Sequence, residues 1–172
     1  MKKLIALALC AMMILTAACA MADTLLVGTY TSVDSTAATA DAAGKVAVDT
    51  TICAVVIDDN NTIVAIKFDA IQPKAGFDAT GALTCDESQT VPTKREKGLG
   101  YNMKGVSPIG LEWYEQMDGF ETWCIGKNIG EVLGMQLDDQ NHATDADVLS
   151  TCTIHINAQL AALKAAVAMM SK

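Results

Sequence analysis

The sequence predicts an α+β fold: a small antiparallel sheet with two main helices packed on it, one of them a long C-terminal helix. Three observations carry this. Two runs rich in Val, Ile and Thr flank four turn-forming residues in the first half of the chain. An apolar, aromatic-bearing segment follows a Ser-Pro pair. A stripe of apolar residues at helical spacing closes the chain.

The first 22 residues have the three parts of a secretory signal. Lys2 and Lys3 are followed by an uncharged apolar run (LIALALCAMMIL) and then by Ala20-Met21-Ala22, an A-x-A cleavage pattern ahead of Asp23. The apolar run is too short to span a bilayer, which takes about 20 residues. Export is therefore expected, with residues 23–172 forming a single domain. Leu15-Thr16-Ala17-Ala18-Cys19 also resembles a lipobox, with Thr16 where such boxes prefer Leu. Cleavage after Ala22 releases the protein. Lipidation of Cys19 instead tethers it to the outer face of the cytoplasmic membrane, since two acyl chains anchor stably.

Composition narrows the partners. The formal charge of -8 becomes -10 once Lys2 and Lys3 leave with the signal, because ten basic residues then face 20 acidic ones. Such a surface repels phosphate backbones and anionic headgroups, so nucleic acid is not an expected partner and the membrane is reached only through a lipid at Cys19. Beyond the signal, Cys53, Cys85, Cys124 and Cys152 are spaced by 32, 39 and 28 residues. No C-x-x-C pair suggests zinc or a redox-active dithiol. Export permits disulfides, while a buried free thiol is the plainer reading for Cys53 within its apolar run. Two bridges, one or none all fit.

Along the chain, residues 34–43 (DSTAATADAA) read as an exposed loop. Residues 45–57 and 62–71, separated by Asp58-Asp59-Asn60-Asn61, read as a β-hairpin, with Val64, Ile66, Phe68 and Ala70 on the buried face. A short strand is expected at residues 82–85. Residues 91–105 (VPTKREKGLGYNMKG) gather four of the ten remaining basic residues among glycines. That stretch is either a solvated loop or a cationic lip over an anionic ligand. Ser107-Pro108 predicts a helix start, with Ile109, Trp113, Met117 and Phe120 inward and Gly126 at its end. A short helix is expected over 128–135. Thr144 with Asp147 resembles a capping box, and Ile156, Leu160, Leu163, Val167 and Met170 define the C-terminal stripe.

Nucleophile elbows, P-loops and histidine clusters are absent from the sequence; His142 and His155 lack ligand spacing, so no metal site is expected. The sharper pattern is Asp147-Val148-Leu149-Ser150-Thr151-Cys152-Thr153, of form D-x-x-S-x-x-T, directly ahead of the C-terminal helix. It resembles the attachment motif D-x-x-S-G-A-T of bacterial FMN-binding domains, found in flavin-carrying subunits of membrane electron-transfer complexes and in exported flavoproteins. The resemblance implies that Asp147, Ser150 and Thr153 handle the FMN phosphate, with Thr153 as the acceptor of a phosphoester. Thr151 stands where the family has Gly and Cys152 where it has Ala. Gly there lets the backbone approach a phosphate or adopt positive φ. A helix N-terminus favours a phosphate, and Tyr101 or Trp113 would hold the isoalloxazine ring. The hairpin is similar to the family's, with Asn61-Thr62-Ile63 in place of its Gly-Lys-Ile.

The chain is also similar to a group of small exported proteins of gut Firmicutes without an assigned activity. The shared residues are Asp49-Thr50-Thr51, the loop from Gly100 to Lys104, Ile109 to Trp113 with Glu115-Gln116, and Thr144 to Asp147. Two functions are therefore expected: an extracytoplasmic electron carrier working with envelope redox partners, or a flavin-free binding or structural module on the same fold. Either is a carrier or binding domain rather than a stand-alone enzyme.

Overall fold

A computed structural model describes residues 23–84 and 90–171. The expected signal, Cys19 and Cys85 lie outside the described residues. The fold is α+β, as the sequence predicts. Its sheet is antiparallel throughout, ordered β1 (Thr24–Thr36), β2 (Gly44–Ile57) and β3 (Ile63–Ile71), with β4 (Lys74–Phe77) pairing the start of β2. Pro73 has no N–H to give a ladder, so β3 and β4 are separate strands along one edge of β2. The Pro73 carbonyl still accepts from Val48 N (3.0 Å).

The hairpin turn is built by Asp58, whose Oδ1 accepts from Asn60 N and Thr62 N (both 2.8 Å), with Asn61 at φ 60°. Asp78 and Asp138 cap their own turns in the same way, and Gly81 and Asn141 supply the positive φ. Residues 82–84 add one isolated bridge, Phe77 to Leu83, rather than the expected strand. The buried face of β3 differs at one end. Ile66, Phe68 and Ala70 point inward, but Ile63 is buried and Val64 is 44% exposed. A register shift beside Val56 and Ile57 skips Val64. Such a bulge reverses the facing of every residue beyond it.

Strand β1 includes Asp34, Ser35 and Thr36, so the loop expected at 34–43 is shorter. The helices are α1 (Lys94–Lys97), α2 (Trp113–Cys124), α3 (Ile129–Leu133), α4 (Ala146–Leu149) and α5 (Asn157–Val167). Helix α2 starts at Trp113, not Ser107, because Gly110 turns the chain at φ 64° and Glu112 takes the N-cap, its N–H donating to Glu115 Oε2 (2.8 Å). Ahead of α4 the cap is Asp145, accepting from Asp147 N (2.9 Å) and Val148 N (3.3 Å), and Thr144 Oγ1 instead donates to Gln136 O (3.2 Å). Among the described residues no helix is long and apolar enough to cross a membrane.

One face of the sheet carries the core. Leu26, Cys53, Val55, Ile57, Ile66, Phe68 and Ala70 meet Met117, Phe120 and Cys124 of α2 and Ala162, Leu163 and Ala166 of α5. Phe68 and Phe120 stack with centroids 5.7 Å apart. The buried side of α5 is Ile156, Gln159, Ala162, Leu163 and Ala166, whereas Met170 of the predicted stripe is 48% exposed. Small residues face inward because the helix backbone lies directly on β1. A Cβ at Gly28 would fall 2.2 Å from Ala166 N and 2.3 Å from Ala162 O. The other face of the sheet is open and leaves Leu25, Val27 and Val33 exposed.

Gly28→Ala is therefore expected to push α5 off the sheet and to cost about 1–3 kcal/mol or more. Gly105→Ala, with nothing within 4 Å of the added carbon, should change stability little. Urea unfolding of the two variants beside the parent checks both.

Candidate functional site

A cleft of about 140 Å³ opens where the middle of the sheet, α1, the start of α2 and the start of α5 meet. Its sheet wall is Asp49, Thr51 and Gln72, the Gln72 carboxamide donating to the Asp49 carboxylate. The aromatic wall is Tyr101 and Trp113, flanked by Met103. The last wall is Ile154, His155, Ala158 and Gln159. A shallower depression of about 500 Å³ adjoins it, sharing Gln72 and Tyr101 and adding Lys74 and Lys97.

The cationic stretch is an ordered lip, held at both ends. Thr93 and Glu96 form a capping box for α1. Arg95 then ties α1 down: its Nε donates to Phe68 O (2.6 Å), Nη1 to Asp118 (2.9 Å) and Nη2 to Glu121 Oε1 (2.5 Å). Glu121 is 2% exposed; it also accepts from Phe68 N (2.7 Å) and Lys67 Nζ (2.6 Å). At the far end, the buried Glu112 carboxylate accepts from Met103 N (2.9 Å) and Lys104 N (3.1 Å). Lys94 Nζ is left 5.1 Å from the Tyr101 ring centre and 5.2 Å from that of Trp113, within cation–π range. Trp113 is 2% exposed, so it is both core and cleft wall.

Of the residues singled out in the sequence, Tyr101 and Trp113 come together in this cleft. Thr153 immediately precedes Ile154 of its wall. Its N–H donates to Gln116 Oε1 (2.9 Å), and its hydroxyl reaches the same oxygen at 3.3 Å. Gln116 is fully buried, and its Nε2 donates to Ser107 Oγ (3.1 Å) and Leu111 O (3.2 Å). Asp147, in the first turn of α4, and Ser150, its C-cap, are exposed and do not line the cleft; the Ser150 hydroxyl donates to Asp147 O (2.7 Å).

Thr151 packs on α2, where a Cβ at Gly119 would lie 2.5 Å from Thr151 Cβ. Among the described residues, the non-glycine positions with positive φ are Asn61, Asn102 and Asn141. Thr151 thus sits in ordinary backbone, without need of a glycine. Cys152 is 1% exposed. Cys53, Cys124 and Cys152 are free thiols. Burial, reinforced by the charge of Glu121, pushes the Cys53 thiol up to about 12, and burial pushes Cys152 up to about 11. Neither is a nucleophile at neutral pH.

Three residues to which the sequence assigned no site role complete the site: Gln116, Gln159 and Gln72. Gln159 left a signal, since it falls between Ile156 and Leu163 on the face that proves to be buried. It is 4% exposed, and its Oε1 has no hydrogen-bond partner. The first turn of α5 has no side-chain cap. An aromatic wall, a cation over it, a buried amide without a partner and an uncapped helix start suit a planar, polar-edged ligand with an anionic group. Among the described residues no group of three or more His, Cys, Asp or Glu could hold a metal.

No family model matches the chain, and no solved structure matches it. It is similar to a chlorophenol reductase of Desulfitobacterium hafniense, 30% identical over 93 residues. The match takes in 48% of this chain but 28% of that protein, so the chain spans less than a third of its relative.

The lip's anchor is sensitive to acid. Partial burial raises the Asp118 carboxyl, but hydrogen bonds and charge from Lys67 and Arg95 outweigh it and hold the carboxyl below its ordinary value. A lowered carboxyl stabilises the fold above its unfolded pKa of about 3.9 and loses that contribution as pH falls through the folded value. The Tm gap between the parent and Asp118→Asn should be constant above about pH 5 and close below about pH 4. It should also be small and shrink with salt, because Asp118 is 49% exposed.

Proposed function

We propose that the chain is an exported FMN-binding-like protein that carries electrons outside the cytoplasm between envelope redox partners. The observation that carries the reading is that Tyr101 and Trp113 share one cleft with the residues directly following Thr153. In this reading a flavin transferase joins the Thr153 oxygen to the FMN phosphorus of FAD, the pyrophosphate bond breaking and AMP leaving with the hydroxyl proton, with Ser150 and Asp147 on the approach and the uncapped start of α5 favouring the negative charge. Tyr101 and Trp113 flank the ring, and Lys94, Lys97 and Lys74 line its open side. Bound FMN supplies reversible uptake of electrons and protons. The residues of the chain orient it and exclude water from one edge. Likeness to part of a protein named for a reduction agrees with a redox role. The extracytoplasmic location rests on the signal pattern of residues 1–22.

A second reading, a flavin-free exported binding or structural module, anchored at Cys19 or released, has its own observation. The two positions where the family pattern has Gly and Ala are filled by side chains that pack, Thr151 against Gly119 and Cys152 in the core.

Intact mass and a visible spectrum of the protein, exported in a host that carries a flavin transferase, separate the two. The carrier reading predicts a yellow protein heavier by one FMN. It also predicts that Thr153→Val loses the added mass while keeping the fold, because the backbone N–H of Thr153 retains its bond to Gln116. A colourless protein of unmodified mass that also ignores added FMN leaves the second reading.

A further inference from the structure

The Gln159 carboxamide is the unresolved polar group of the cleft. It is 4% exposed, it lines the cavity, and its Oε1 has no partner. A buried amide oxygen without a donor is unfavourable, and structures rarely leave one so. Oε1 is closed off from solvent in this structure, and rotation about the last side-chain bond is soft, so the amide turns to bring it to the ligand. A carboxamide offers an acceptor and a donor side by side. Its full complement is a group with an N–H and a C=O side by side.

The cavity restricts what can carry that group. Its 140 Å³ is close to the roughly 150 Å³ that encloses a single benzene ring, so one six-membered ring enters and the rest of a larger ligand stays outside. Trp113 and Tyr101 require the ring to be flat. Lys94, 5.1 Å from the Tyr101 ring centre and 5.2 Å from that of Trp113, favours an oxygen-rich edge. Building on the flavin reading of this cleft, we infer that Gln159 is the specificity-determining residue and that it reads the cyclic imide edge of the ligand ring. The pyrimidinedione end of a flavin enters the cleft, and its other two rings lie over Tyr101 toward Lys97 and Lys74, in the adjoining depression. Only the ring of the ligand makes these contacts; its phosphate takes no part in them.

The test is a fluorescence titration of the mature protein with riboflavin and with riboflavin methylated on its imide nitrogen, which blocks the donor without enlarging the ring system. The parent should bind riboflavin about tenfold or more tighter than the methylated form, one lost hydrogen bond being worth that much. Gln159→Leu should bind the two alike, at the weaker level. Equal binding of both by the parent overturns the inference and leaves the flavin reading standing. If neither flavin binds but uracil does, and methylation of its imide weakens it, the inference stands and the flavin reading falls. If neither flavin nor uracil binds, both fall. Because methylation probes the unaltered protein, the outcome does not depend on the folding of the variant.

Discussion

Three buried polar side chains, on α2 and at its N-cap, hold the candidate site together. Glu112, Gln116 and Glu121 are 2%, 0% and 2% exposed, and each serves a different partner. Glu112 takes the backbone N–H groups at the end of the cationic lip. Gln116 takes the backbone of Thr153. Glu121 takes Arg95, Lys67 and the Phe68 N–H, joining the other end of the lip to the sheet. A buried polar group left unpaired costs about 1–3 kcal/mol, and more if charged. These contacts are therefore obligatory, and they bring together segments far apart in sequence. Removing one partner is far more disruptive than replacing the whole network with apolar residues.

The close approach of α5 to β1 is the second constraint, and it depends on small residues. Gly28 under Ala162 and Ala166 lets the helix backbone rest on the strand, which sets how far the helix projects at its N-terminal end. That end carries Ala158 and Gln159 into the cleft. Packing at one end of α5 thereby positions the polar group at the other.

Much of this was legible in the sequence, for physical reasons. The hairpin showed itself because Asp58 and Asn61 are strong turn residues between β-branched runs, and α5 because its stripe is regular. The first strand was not seen. Leu25, Leu26 and Val27 are apolar in succession, since Leu26 faces the core while its neighbours lie on the open face of the sheet, and alternation is lost. Val64 was assigned to the wrong face because a bulge leaves no trace in a period-two pattern. The start of α2 was placed too early because Ser107-Pro108 carries a stronger local signal than Glu112, although Gly110 sits between them at positive φ. In the site, Tyr101 and Trp113 stood out as aromatics able to stack on a flat group, and residues 91–105 as a basic cluster that read as a solvated loop or a lip. Gln116 and Gln159 showed no such role, because a glutamine in a helix acquires meaning only from what the tertiary fold places against it.

Central to the account is that α2, through Gln116, holds the Thr153 segment beside the aromatic wall. Backbone amide hydrogen exchange in the parent and in Gln116→Leu tests it directly. The Thr153 amide should be protected in the parent and exchange much faster in the variant, while the amides of α2 beyond its first turn keep their protection. Unchanged protection of Thr153 in a folded Gln116→Leu protein would contradict the account, since the segment would then be held by something other than α2.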